Sequence, residues 1–170
     1  MGQRVFDKAE FYIRRGDRKR LRRLLNKRPQ LLQSDDSLVL FNAIWRQPSL
    51  VAWLLDRGVS PDCRLGPGSN TPLMQAAADG DVALVTLLLD YGAAVESINE
   101  CNERALGFAC SWRQPDAARI LLERGANPNA LEDPDRTYLD WAIIGEHTEM
   151  VELLRSFGAF RFPELPQTGK

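Results

Sequence analysis

Catalysis in this 170-residue chain would have to run through very few side chains. His147 is the only histidine, so a Ser-His-Asp or Cys-His arrangement would need to recruit it. It stands in "GEHTEM", at the expected start of a helix, where a structural role accounts for it. "LEDPDR" supplies Glu132, Asp133 and Asp135, but lacks the Gly and regular spacing of a calcium loop, so these acids read as a solvated turn. "RLGPGSNT" is glycine-rich, yet it has no Lys followed by Ser or Thr to hold a phosphate. Cys63, Cys101 and Cys110 form an odd set with no close pair, which fits reduced thiols in a cytoplasm-like compartment rather than a metal or disulfide framework. These residues predict no enzyme, no cofactor and no bound metal.

Charge is arranged rather than abundant. The net value is −1, but residues 1–30 carry eleven Lys/Arg against three Asp/Glu, a balance of +8, and residues 31–170 carry −9. No apolar run approaches the roughly 18 to 20 residues of a membrane helix. "MGQRVFDKAEFYIRRGD" has neither a secretion signal's apolar stretch nor, with Phe6 in the Ser/Thr slot, a myristoylation signal. A cytoplasmic protein is expected. "LPQTG" at 165–169 matches a sortase pattern, but only Lys170 follows it, so it reads as chance or a tag.

The elements that position these residues recur. "WRQP" occurs at Trp45–Pro48 and again at Trp112–Pro115, each followed by Leu-Leu, an acid, Arg and Gly. Gly58, Gly92, Gly125 and Gly158 fall at intervals of 34, 33 and 33 residues. A fixed period of that length signals a solenoid of repeated units. Within one unit, Thr71 and Pro72 suit a helix start, and Ala76, Ala77 and Ala78 let a neighbouring helix come close. Gly80 permits a turn, and Asp81 can cap a second helix whose Val82, Val85, Leu88 and Leu89 form one apolar stripe. Gly92 suits a left-handed helix end. "WRQP" then becomes the turn between two helices, with Pro48 and Pro115 early in the second.

On Thr71-Pro72-Leu73, Ala76-Ala77, Gly80, Leu87-Leu88-Leu89, Gly92-Ala93, Leu121-Leu122, Gly125-Ala126 and Asn129, the chain resembles the ankyrin-repeat family. The resemblance implies an all-α solenoid of stacked helix-turn-helix units joined by hairpin loops. The expected organisation is a degenerate capping repeat at 1–33, four repeats at about 34–66, 67–100, 101–133 and 134–160, and a tail at 161–170. Arg46 and Arg113 depart from the family's inter-helix Gly, and "DPDR" makes an unusual hairpin.

The resemblance also implies a non-catalytic protein-binding module, of an adaptor, inhibitor or immunity type, that docks its partner on a concave face of hairpin tips and first helices. Carried onto this sequence, the contact slots are Ile44, Trp45, Asp79, Ser111 and Trp112 on the helices and Asn70, Glu100, Glu103, Asp133, Asp135 and Arg136 at the tips. Trp45 and Trp112 share one slot, and each is either a partner anchor or a ring folded over its own turn. Phe41, Phe108 and Trp141 share another slot and read as packing between units. The acidic balance favours a protein partner with a basic patch, bound by a monomer without membrane attachment. The alternative is a nucleic-acid or anionic-surface binder through Arg14, Arg15, Arg18, Lys19 and Arg22.

Overall fold

Short helices follow from the repeat, because each unit has only enough apolar residues for two brief stripes. The computed structural model describes residues 3–28, 43, 45, 47–64 and 68–162, in two compact units, Met1–Pro72 and Leu73–Lys170. Phe41, Ile44, Arg46, Pro67 and the 165–169 stretch lie outside the described residues.

In the first unit, α1 (Gln3–Arg14) packs on α2 (Arg18–Lys27). Ala9 and Ile13 on α1, and Leu21 and Leu25 on α2, are buried at four-residue spacing. Gly16, at φ 71°, makes the turn between them, and Asp17 caps α2 by accepting from Arg20 N at 3.0 Å. Helix α3 (Pro48–Leu55) starts on its proline and buries Leu50, Val51, Leu54 and Leu55.

The second unit comprises α4 (Pro72–Asp79) from Leu73 onward, α5 (Val82–Asp90), α6 (Ala105–Ser111), α7 (Pro115–Glu123), α8 (Tyr138–Ile144) and α9 (Thr148–Ser156). Helices α6 and α8 pack on each other in one layer, and α7 packs between α5 and α9 in the other. The small residues work as expected: Ala76, Ala77, Ala105, Ala109, Ala117 and Ala118 are all buried, where larger side chains would hold the helices apart. On α5 the buried stripe is Leu84, Val85 and Leu88, while Val82 and Leu89 are only half-buried. Asp81 caps α5 through Leu84 N at 3.0 Å. Thr137 and Asp140 cap α8 reciprocally, each side chain holding the other's backbone N–H.

The four glycines that set the period lie at φ between 79° and 93°, the left-handed helix end that their spacing predicts. The inter-helix turn needs the same region. Gly80 supplies it at φ 69°, but Arg113 and Glu146 adopt it at 58° and 56° with a side chain attached, which costs on the order of 1 kcal/mol each. The connections contain no strand among the described residues; Asp133 and Arg136 form an isolated bridge. Polar side chains hold them instead. Glu96 accepts from Arg104 Nε at 3.2 Å and Asn127 N at 2.9 Å, and Asn129 clasps Gly158 O and Phe160 N.

Candidate functional site

The recurring tetrapeptide resolves into separate duties. Its glutamine reaches back to the preceding helix pair: Gln47 Nε2 donates to Ile13 O at 3.0 Å, and Gln114 Nε2 to Ala78 O at 3.4 Å. The preceding turn leaves room for it, since a Cβ on Gly16 would come within 3.2 Å of Gln47 Nε2 and one on Gly80 would collide with the Gln114 carboxamide. The prolines occupy the first turns of α3 and α7. Neither duty needs tryptophan. Trp45 is 51% exposed and Trp112 64%. The guanidinium of Arg113, next to Trp112 in sequence, donates to Gly145 O at 3.3 Å. In the same layer Ile144 is 61% and Trp141 44% exposed. Trp141 is therefore not the inter-unit packing residue its slot suggested, and Phe108 is half-buried. Beside Trp141 the second unit leaves space rather than filling it.

That space is a cavity of about 470 Å³ in the second unit. Glu103, Glu132 and Asp133 line it together with Ser111, Tyr138 and Trp141. Glu132 is half-buried rather than solvated, because Oε1 accepts from Arg104 N at 2.6 Å and Tyr138 Oη at 2.7 Å. Gly107 makes this possible, since a Cβ there would collide with the carboxylate. Burial, with Glu103 adding repulsion, holds the Glu132 carboxyl above its usual range despite these bonds. Cys110 and His147 also line the cavity. Burial pushes the Cys110 thiol far up, so it is no thiolate nucleophile. Burial, then Arg113, lowers the pKa of His147, which is the N-cap residue of α9 and accepts from Val151 N through its backbone carbonyl at 2.9 Å. No group of His, Cys, Asp or Glu among the described residues is arranged to hold a metal.

The remaining slots are dispersed. Asp79 is exposed and accepts from Gln75 Nε2 at 3.1 Å; Glu100 is exposed; Glu103 is held by Asn99 Nδ2 at 2.8 Å. Asp133 accepts from Asp135 N at 3.0 Å, and Arg136 lies over Trp141 at 4.7 Å. Asn70 is half-buried in the first unit. Of the basic set, Arg15 lies over Phe11 at 5.1 Å and Arg22 over Trp53 at 5.3 Å, where Arg57 closes the other contact at 3.8 Å. Arg18 donates to Gln47 at 3.4 Å, and Arg14 and Lys19 are exposed.

A family model described as ankyrin repeats in three copies matches residues 40–132 and 73–160. The chain belongs to the ankyrin-repeat family. It is 33% identical to human protein phosphatase 1 regulatory subunit 27 over 147 residues, 85% of this chain and 92% of that protein. It is 38% identical to human ankyrin repeat domain-containing protein 63 over 108 residues, 61% of this chain but 28% of that one. The Arabidopsis thaliana E3 ubiquitin-protein ligase KEG matches 66% of the chain at 32% identity, across 7% of its own length. The chain thus spans a minor part of several relatives. Ankyrin stacks are protein-interaction modules, and no helix among the described residues is long and apolar enough to cross a membrane.

Proposed function

We propose that the protein is a non-catalytic ankyrin adaptor or inhibitor that holds a protein partner against its first-helix face and hairpin tips. The observation that carries this is a concentration of unburied apolar side chains in one layer of the second unit: Trp112, Trp141 and Ile144. Large apolar residues left exposed together mark docking surfaces, and tryptophan contributes most where an interface closes over it. Trp45, in the same slot as Trp112, is the corresponding anchor of the first unit, and Asp79, Glu100 and Glu103 set the partner's orientation. The near full-length likeness to a protein named as a phosphatase regulatory subunit supports a regulatory role in which the partner is itself an enzyme.

The test is affinity capture from source-cell lysate by wild type and by a Trp45→Ala/Trp112→Ala variant, after circular dichroism shows both folded. A protein retained by wild type and lost by the variant supports the reading. Identical captures remove the tryptophans from it. Binding that ignores ionic strength removes the acidic contribution.

A further inference from the structure

We propose that α2, in the first unit, binds the phosphate backbone of double-helical DNA without reading its sequence, a function separate from docking on the first-helix face. At about 100° per residue, Lys19, Arg23 and Lys27 fall on one line of the helix, opposite the buried Leu21 and Leu25. Arg20 and Arg22 flank that line, so exposed cations occupy an arc of roughly 160°. The helix contains no acid. Asn26 follows Leu24-Leu25 where Asp56, Asp90 and Glu123 follow the matching Leu-Leu pairs of α3, α5 and α7.

A single-sign face is costly to the helix that carries it. The end of a repeat stack needs polar residues, which mixed charges supply as well. Lys19 and Arg23, and Arg23 and Lys27, stand four residues apart and repel each other. Among the described residues these three cations form no ion pair, and Arg20 meets only Asp17, the acid that also caps α2. Trp53 of α3 takes Arg22 at 5.3 Å and Arg57 at 3.8 Å, which fixes more positive charge beside the arc without neutralising it. A polyanion supplies the countercharge that the fold withholds.

Shape selects among polyanions. A bilayer is flat and would meet only the central line of the arc. The leucines of α2, its only apolar residues, are buried or half-buried and cannot enter a membrane. A convex helix with cations down both flanks matches two anionic rails. The major groove of B-form DNA, about 12 Å wide, admits a helix between its phosphate strands, whereas the groove of duplex RNA is too narrow. At about 15 Å, α2 spans roughly four base pairs. Residues 31–170 carry −9 and repel DNA, so the attraction is local to the first helix pair.

The experiment is fluorescence anisotropy of a labelled mixed-sequence DNA duplex, titrated with the full chain at several salt concentrations. About five phosphate contacts give a slope of log K against log salt of about −4 to −5. Lys19→Gln/Arg23→Gln/Lys27→Gln, shown folded by circular dichroism, should reduce that slope by about 2 to 3 and weaken binding about 10-fold or more at low salt. Lys19→Arg/Lys27→Arg keeps the charge and should keep both values. Arg119→Gln/Arg136→Gln/Arg155→Gln removes the same charge from exposed positions of the second unit and should leave the slope unchanged. An RNA duplex of the same sequence should bind about 5-fold more weakly or worse. An equal loss of slope in the second-unit variant overturns the proposal, as does RNA bound as tightly as DNA. Absence of DNA binding at low salt overturns it as well. Retention by phosphatidylserine vesicles or by poly-glutamate in its place would reassign the face to a membrane or to an acidic protein.

Discussion

Two carboxylates eight residues apart, one buried and one half-buried, are treated in opposite ways. Asp140, at the third position of α8, accepts on Oδ2 from Thr137 N at 3.1 Å, Thr137 Oγ1 at 2.9 Å and Phe162 N at 2.9 Å, and on Oδ1 from Arg161 Nε at 3.1 Å. Burial alone would raise its pKa, but these four donors prevail and hold it at about 2. Glu132 has two donors, both on one oxygen, so burial prevails and its pKa is raised. The first carboxylate is a closed structural clasp that ties the chain after α9 back to the start of α8. The second is left incomplete. The difference lies in how many donors the fold supplies, and it separates a group tied down on both oxygens from one with an oxygen left open to solvent.

The largest test of that contrast removes the clasp. Asp140→Ala leaves Thr137 N and Phe162 N without their acceptor and Arg161 without its partner, so unfolding free energy should fall by about 3 kcal/mol in urea denaturation. A loss below about 1 kcal/mol would place Asp140 on the same footing as Glu132 and dissolve the distinction.

Acid should separate the two next. A depressed folded pKa gives Asp140 a contribution that is present above its unfolded value, near 3.8, and is lost as pH falls towards about 2. The shift corresponds to on the order of 2 kcal/mol. Glu132 has the reverse sign. Its raised folded pKa favours the protonated, folded form, and that advantage fades as pH rises out of the ordinary carboxyl range through the folded value. Stability-pH curves of Asp140→Asn and Glu132→Gln should therefore flatten on opposite sides, the first at the acid end and the second above it. Two curves that flatten on the same side would show that the electrostatic assignment is wrong.

The clasp was half legible in the sequence and the open site was not. The pairing of Thr137 with an acid three residues later is a local pattern, as are the glycines at 33 to 34 residues and the prolines at 48 and 115, because each records a demand made by its own few residues of backbone. The sequence assigns the tetrapeptide to a turn and gives its glutamines no separate role. Their work is on carbonyls 34 and 36 residues earlier, which no single unit reveals. Glu132 passed for a solvated turn acid because its burial is decided by Tyr138 and by the absence of a side chain on Gly107. Trp141 passed for packing because the helical register fixes where a side chain sits, not whether the neighbouring hairpin comes down to cover it.

Gly107 offers a sharper probe of the same pair. Inside α6 an alanine would ordinarily stabilise by about 1 kcal/mol, since glycine is the poorer helix former. Here the added methyl meets the Glu132 carboxylate, so Gly107→Ala should instead cost about 1 to 2 kcal/mol. In a Glu132→Ala background the sign should reverse and the ordinary gain return. That reversal, read from a four-member denaturation cycle, would show that the glycine exists to seat the carboxylate. If alanine is favourable in both backgrounds, Glu132 moves aside freely, and the cavity is not a formed site.

The smallest stability effect is expected at the residue proposed as the partner anchor. Trp112 caps the end of α6 through its backbone, with its N–H donating to Phe108 O at 3.0 Å, and any residue supplies that bond. Its indole is mostly in water, and Arg113 is engaged with Gly145. Trp112→Ala should therefore change folding stability by no more than about 0.5 kcal/mol, while partner affinity drops by about 30-fold or more, the mark of an interface anchor. The two numbers must be read together. Loss of both means the ring stabilises its own turn, as a cap would; loss of neither means its exposure is incidental. Only a loss of binding at unchanged stability fits a side chain that the fold holds out for something else to cover.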